Sequence, residues 1–371
     1  MRRIAIPFLA AALIVTGAVA DRLIAGSASP NPPALASTAV QNPGTTATVS
    51  TAPSASAVDA ATEHAYAVAS PSIVYVDNVG TGSGSGIIYD SRGDIVTNYH
   101  VVSGASKLQV TLNNGKTYGA TIVGTDSADD LAVIRTNAPG LKAATFAAAG
   151  SYQVAQTVLA IGSPLGLQQS VSSGLISGLG RVEQEPNGAY LPSAIQTSAP
   201  INPGNSGGAL VTLDGVVVGM PTLEQTSTSN GNAAQDIGFA IPSQRITYVA
   251  NQIIATGKVQ HTGRAYLGIS PTDSTAGSGG GFGGGFFGGG NGGSPISGAL
   301  VQQIASSGPA AKAGLQQGDV ITGANGRTVS DAQDLLQILA GEKPGDTITL
   351  SINRNGATST VHVHLGELPA S

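Results

Sequence analysis

Three residues of this 371-residue chain have the types and the order of a proton-relaying nucleophile: His100, Asp130 and Ser206. His100 lies in Thr97-Asn98-Tyr99-His100-Val101-Val102, and Asp130 opens the apolar run Asp130-Leu131-Ala132-Val133-Ile134. Ser206 sits in Gly204-Asn205-Ser206-Gly207-Gly208. A serine hydroxyl is a poor nucleophile at neutral pH. It needs a base within hydrogen-bond reach, and that base needs a carboxylate to hold its tautomer and stabilise its cation. His100 is the candidate base, Asp130 the candidate orienter, and Asp129 the competing acid. The segment Gly204, Asn205, Ser206 is the candidate oxyanion site, with the amides of Gly204 and Ser206 aimed at one spot. Losing one such donor costs about 3 kcal/mol of transition-state stabilisation. Gly-Asn-Ser-Gly-Gly also fits the Gly-x-Ser-x-Gly elbow of α/β-hydrolases, but that fold places its acid and histidine after the serine. The histidines downstream of Ser206 are His261, His362 and His364, none in a catalytic-looking loop. The order His, Asp, Ser therefore disfavours a lipase or esterase.

These residues must be positioned by short strands. From about residue 63 to 258, brief apolar runs such as 72–76, 86–89, 108–112, 131–134, 157–161 and 216–219 are separated by Gly, Asn, Asp and Ser. That pattern predicts an all-β sandwich or barrel. Asn113-Asn114-Gly115-Lys116 predicts a hairpin in which Asn-Gly supplies positive φ angles. Helical spacing of Ile246, Val249, Ala250, Ile253 and Ile254 predicts one helix over 243–256, capped by Ser243. About 195 residues suit two packed six-stranded barrels. A smaller α+β unit follows over 262–368, with a helix over 331–339 and strands over 347–353 and 359–364.

Composition bounds the rest. Charged residues are 10% of the chain and the formal net charge is −5, with no basic stripe, so nucleic acid is not an expected partner. The absence of cysteine excludes disulfides and thiolate chemistry. No metal or cofactor is expected. His362 and His364 share one face of a strand and read as a solvated pair, and His64 and His261 as lone surface histidines. Gly82-Ser83-Gly84-Ser85-Gly86 lacks the lysine and following helix of a phosphate-binding loop and reads as a link between strands.

Residues 1–24 carry Arg2 and Arg3 before an apolar run from Ile4 to Ala20, the pattern of an export signal. A cleaved peptide and a retained membrane anchor both fit its length. Residues 25–62, rich in Pro, Ala, Ser and Thr, read as a disordered tether. The remainder is expected outside the cytoplasm, in the cell envelope.

Thr-Asn-x-His-Val-Val, Asp-Leu-Ala-Val-Ile and Ile201-Asn202-Pro203-Gly204-Asn205-Ser206-Gly207-Gly208 together resemble the HtrA/DegP family of serine endopeptidases. Residues 160–166 and 237–242 share the resemblance. It implies a chymotrypsin-like double barrel over 63–258 and a PDZ domain over 262–368. Within the latter, residues 274–294 form a Gly/Phe-rich insertion holding Phe282, Phe286 and Phe287. It implies His100, Asp130 and Ser206 as the triad, Asp130 being preferred to Asp129 because it abuts Leu-Ala-Val-Ile. Pro200, six residues before the serine, takes the floor of the primary specificity pocket, and with no charge there the expected preference is for small or aliphatic side chains. Ile237, Phe239 and Ala240 are the implied pocket wall. Ser198, Pro200 and Ala209 depart from the family pattern without removing a catalytic atom.

Tyr266-Leu267-Gly268-Ile269 resembles the carboxylate-binding loop of PDZ domains, which take a peptide C-terminus as an added strand. The implied activity is ATP-independent cleavage of unfolded or mislocalised proteins, and the implied assembly a homotrimer through Tyr66 to Ser72. The rival reading is a PDZ-bearing chaperone or adaptor whose protease site is latent.

Overall fold

The computed structural model describes residues 55–163, 169–184, 190–202, 204–224, 237–274 and 296–370. All belong to one compact unit. The apolar N-terminal run and the Gly/Phe insertion lie outside the described residues, as does most of the expected tether. Among the described residues no helix is long and apolar enough to cross a membrane.

The chain enters through helix α1 (Ala55–Ala69), which starts inside the stretch expected to be disordered. Its Ala65 and Ala69 are buried in the main core, and that packing offsets the ordering cost the composition alone could not. Six strands then close a barrel: β1 (Ile73–Asn78), β2 (Gly82–Ile88), β3 (Asp94–Asn98), β4 (Leu108–Thr111), β5 (Thr117–Asp126) and β6 (Leu131–Thr136). A one-turn helix α2 (Tyr99–Val102) follows β3. The turn between β4 and β5 is the expected hairpin, except that only Gly115 takes a positive φ, of 78°.

The second barrel comprises β7 (Thr157–Gly162), β8 (Ser170–Gln184), β9 (Tyr190–Thr197), β10 (Ala209–Thr212), β11 (Val217–Glu224) and β12 (Gly238–Pro242). Helix α3 (Ser243–Thr256) closes it. Ser243 is not its cap. Pro242 takes that position, and the Ser243 hydroxyl instead donates to the Ala147 carbonyl at 2.8 Å.

Alternation along the strands sends one set of side chains inside each barrel and the other between them. Val74, Val76, Ile95 and Ile134 fill the first barrel. Ile176, Ile195, Leu210 and Val218 fill the second. Ile73, Ile87, Val133, Leu159, Ile161 and Met220 pack between the two, with α3. Each fully buried isoleucine contributes about 2 kcal/mol of apolar transfer energy, so this shared core holds the barrels in fixed register.

The C-terminal part begins with β13 (Ala265–Tyr266) and β14 (Ile269–Asp273), then β15 (Ala299–Ile304) and α4 (Pro309–Lys312). It continues through β16 (Val320–Ala324), β17 (Arg327–Thr328), α5 (Ala332–Leu339), β18 (Thr347–Arg354), β19 (Ala357–His364) and β20 (Gly366–Glu367). Its main sheet runs β14-β15-β16-β18-β19, which leaves β14 at an edge. Asp331 caps α5 by accepting the Asp334 amide at 2.8 Å.

Candidate active site

Strand pairing brings the histidine and the acid together. In the antiparallel pair β3–β6, Asn98 faces Leu131. The turn that leaves β3 and the turn that enters β6 therefore sit side by side, carrying His100 and Asp130. Asp130 takes a left-handed backbone, φ 49°, which aspartate tolerates better than bulkier residues. Its carbonyl accepts the Tyr99 amide at 3.0 Å and the Asn98 side-chain amide at 3.1 Å.

The Asp130 carboxylate is buried. It accepts the His100 amide at 3.0 Å through Oδ1 and lies 2.8 Å from His100 Nδ1 through Oδ2. Oδ2 also accepts the Thr222 hydroxyl at 2.6 Å. Asp129 points elsewhere: it pairs with Arg245 of α3 through Oδ2, and Arg264 lies 3.6 Å from its Oδ1. The imidazole is partly open to solvent, 43% exposed, over its buried partner.

Ser206 arrives from the second barrel, on the loop between β9 and β10. Its hydroxyl donates to the Thr222 carbonyl at 3.4 Å, so Thr222 touches both the serine and the acid. Gly84 marks the same convergence: a Cβ there would lie 2.7 Å from Val101 Cγ2 and 3.0 Å from the Ser206 carbonyl oxygen. The α2 turn and the serine backbone thus flank one missing methyl group. No sequence motif singled out Thr222, which lies in a strand that reads only as apolar.

Among the three oxyanion candidates, Asn205 drops out as a donor because its amide is spent on the Asn202 carbonyl at 3.0 Å. The Gly204 and Ser206 amides have no hydrogen-bond partner among the described residues. Gly204 has φ 100°.

The expected pocket wall needs correcting. Phe239 is buried in the core between the barrels and Ala240 inside the second barrel, because alternation sends them to opposite faces of β12 and both faces are covered. Ile237 is half-buried and Pro200 is exposed, its carbonyl accepting the Ser172 hydroxyl at 2.6 Å. The side chain that fills the space beside Pro200 is Ile201, buried against Gly238, where a Cβ would meet Ile201 Cγ1 at 2.5 Å.

In the C-terminal part, Leu267 and Gly268 are buried and Gly268 has φ 83°. Their carbonyls accept Ala310 and Ala305 amides, each at 2.9 Å. A cavity of about 830 Å³ opens beside Tyr266–Ile269, lined by edge strand β14 and by Leu336 and Leu339 of α5. Arg245 and Tyr248 of α3 form part of its other wall. Gln333 of α5 donates to the Val182 carbonyl on β8.

A buried carboxylate cluster adjoins this wall. Asp126, at the end of β5, is buried, and its Oδ2 has no hydrogen-bond partner among the described residues. Burial, then the charge of Asp129, pushes its carboxyl up to about 7. An unfolded aspartate titrates near 4. Between those values the folded chain keeps a proton that the unfolded chain sheds, so Asp126 favours folding below about pH 4 and that contribution is lost as pH rises through 7. Asp126→Asn keeps a donor toward Asp129 without a charge. It is expected to raise stability at pH 8 by about 2 kcal/mol and to leave it little changed at pH 4. Denaturant midpoints at both pH values check this, and an unaltered difference between them would rule it out.

Two closed barrels meeting at a serine and a histidine–aspartate pair, with a small sheet domain after them, define a trypsin-like serine protease carrying a PDZ domain. Family models agree, matching a trypsin-like peptidase domain over residues 84–220 and a PDZ domain over 265–365. The chain belongs to the HtrA family of serine proteases. It is 36% identical to the serine endoprotease DegS of Salmonella typhimurium over 294 residues, 78% of each chain. It is 38% identical to the serine protease Do-like HtrA of Lactobacillus helveticus over 288 residues, 76% of this chain and 68% of that one. Among solved structures, the HtrA-type protease AlgW with a tripeptide superposes with a TM-score of 0.59 at 31% identity, covering 83% of this chain and 97% of that one.

Proposed function

We propose that the protein is an ATP-independent endopeptidase of the cell envelope that cleaves unfolded or mislocalised proteins. In this reading Ser206 attacks the scissile carbonyl, and His100 takes its proton and returns it to the leaving amine. Asp130 holds the imidazole with Nδ1 protonated, and the Gly204 and Ser206 amides receive the oxyanion. The observation that carries the reading is the His100 Nδ1–Asp130 Oδ2 contact of 2.8 Å, tied through Thr222 to the Ser206 hydroxyl. Uncharged Pro200 and the apolar packing of Ile201 support a preference for small or aliphatic side chains before the cleaved bond. An edge strand facing a helix, with a buried glycine loop at its start, supports capture of peptide C-termini in the PDZ cavity. The Arg2-Arg3 and apolar N-terminal pattern supports export, with a cleaved signal or a membrane anchor, and the AlgW complexes support peptide ligands. The segment Tyr66–Ser72 is the proposed trimer contact.

The Ser206 hydroxyl donates to the Thr222 carbonyl at 3.4 Å. That bond favours a second reading, in which the site rests in a latent form and the chain acts as a chaperone or adaptor. One assay separates the two. Wild type and Ser206→Ala are incubated with unfolded casein and with a serine-directed phosphonate. Cleavage and labelling confined to wild type support the protease. Uncleaved substrate kept from aggregating by both proteins supports the alternative. Because His100 must be neutral to act as base, activity is expected to fall below about pH 6.5. A pH–rate profile still at full height at pH 4.5 would remove His100 from that role.

A further inference from the structure

We propose that Ser85 is a positioning residue for acyl transfer, a clasp from the first barrel that sets the aim of the Ser206 oxyanion amide on the second. The inference rests on the assignment of Ser206 as nucleophile and of the Gly204 and Ser206 amides as oxyanion donors.

Ser85 lies in the Gly82–Gly86 stretch, inside β2, and is completely buried. All its polar atoms are engaged. Its amide donates to the Ser206 carbonyl at 2.8 Å, and its carbonyl accepts the Thr97 hydroxyl at 2.6 Å. Its hydroxyl accepts the Ser163 amide at 2.7 Å. The single hydroxyl proton then goes to the Gly204 carbonyl, 2.5 Å away. One side chain thus joins β2, the segment leaving β7, and the nucleophile loop.

The consequence follows from peptide planarity. Each carbonyl is rigidly coplanar with the next residue's amide. In the Gly204–Asn205 plane, the carbonyl is held by the Ser85 hydroxyl and the amide by Asn202. In the Ser206–Gly207 plane, the carbonyl is held by the Ser85 amide and the Gly207 amide donates to Pro221 at 3.1 Å. The plane between them has its carbonyl held by Gly208 at 2.9 Å and leaves only the Ser206 amide without a partner. With both outer planes pinned, the direction of that amide is determined.

The other bonds holding these three planes come from within the second barrel. The two from Ser85 come from the first, which also carries His100 and Asp130. They therefore set the Ser206 amide relative to the base. There is no slack in the joint: a Cβ on Gly207 would lie 2.1 Å from the Ser85 carbonyl oxygen, and Gly207 has φ 81°. Alanine at 85 would keep the backbone contacts but leave the Gly204 carbonyl and Ser163 amide buried without their partner.

The test uses the full-length protein with a peptide substrate and with a peptide aldehyde, whose hemiacetal oxygen occupies the oxyanion position. Ser85→Ala is expected to lower kcat about 100-fold, the cost of a small misplacement at the reacting centre. KM should stay within about threefold, because ground-state binding does not use the oxyanion amides. Aldehyde affinity should fall in parallel with kcat/KM, and the apparent pKa of kcat/KM should not move, since the His100–Asp130 pair is untouched. Ser85→Cys replaces the hydroxyl by a larger group that is only a weak donor and should show the same split; it decides the matter if the alanine variant does not fold. A folded Ser85→Ala or Ser85→Cys protein with wild-type kcat and aldehyde affinity overturns the inference, as does a loss confined to KM. The Ser206→Ala control keeps two failures apart: if it cleaves as well as wild type, the active-site assignment has failed and the inference falls with it, whereas an inactive Ser206→Ala beside a fully active Ser85→Ala overturns the inference alone.

Discussion

Asp130→Asn is expected to lower kcat by about four orders of magnitude with the fold intact. The carboxylate accepts three hydrogen bonds, from the His100 amide, His100 Nδ1 and the Thr222 hydroxyl, and donates none. An asparagine amide has one oxygen. Keeping that oxygen on the His100 amide turns the NH₂ group toward Nδ1. The imidazole must then carry its proton on Nε2, which leaves no lone pair to take the serine proton. Thr222 cannot compensate, because its hydroxyl rotates to accept from the new NH₂ group and so stabilises the wrong tautomer. KM should change little, since Asp130 is buried beneath the imidazole and away from the substrate. Steady-state kinetics on a peptide substrate and a thermal melt of the variant check both halves. A folded protein that loses less than tenfold in kcat would show that Asp130 does not orient the base.

The choice between Asp129 and Asp130 shows how far residue types alone can go. Two adjacent carboxylates are chemically equal on paper, and only a neighbouring apolar motif separated them. The physical reason is backbone conformation: the left-handed turn at Asp130 sends its side chain to His100, while Asp129 faces α3. The strands of the barrels and the helix α3 were legible because isoleucine and valine recur at regular periods. Helix α1 was not, because Ala65 and Ala69 bury little area each and give no periodic contrast against the alanine-rich sequence before them. Phe239 and Ala240 were misread because a pocket wall and a core face look alike in a strand buried on both sides. Ser85 and Thr222 carry no signal of their own. Each matters through one hydroxyl whose partners are backbone groups or an acid far away in sequence, and a serine between glycines reads as a loop.

Arg245→Ala is expected to destabilise the protein by about 3 kcal/mol, at the low end for breaking a buried ion pair. Asp129 is almost wholly buried. Burial alone would raise its pKa, but Arg245 and then Arg264 beside it hold the carboxyl below the ordinary range. Arg245 also donates to the Thr262 carbonyl, tying α3 to the segment that leads into the PDZ domain. Removing Arg245 leaves the charge on Asp129 with Arg264 at 3.6 Å and with Asp126 beside it, so Asp129 is pushed toward protonation. For a unit of this size the thermal midpoint should drop by roughly 4–6 °C. The sign of the pH dependence is fixed: a depressed carboxylate stabilises the fold above its unfolded pKa near 4 and loses that contribution as pH falls toward its folded value. The deficit of Arg245→Ala should therefore be largest at neutral pH and shrink on acidification. Asp129→Asn in the Arg245→Ala background should recover part of the stability, since no buried carboxylate charge is then left without Arg245. Because Asp129 faces away from His100, Asp129→Asn alone should keep kcat within about tenfold of wild type, against the four orders expected at its neighbour. An Arg245→Ala melt that matches wild type, or a double variant no more stable than the single, would mean that this pair does not hold the junction.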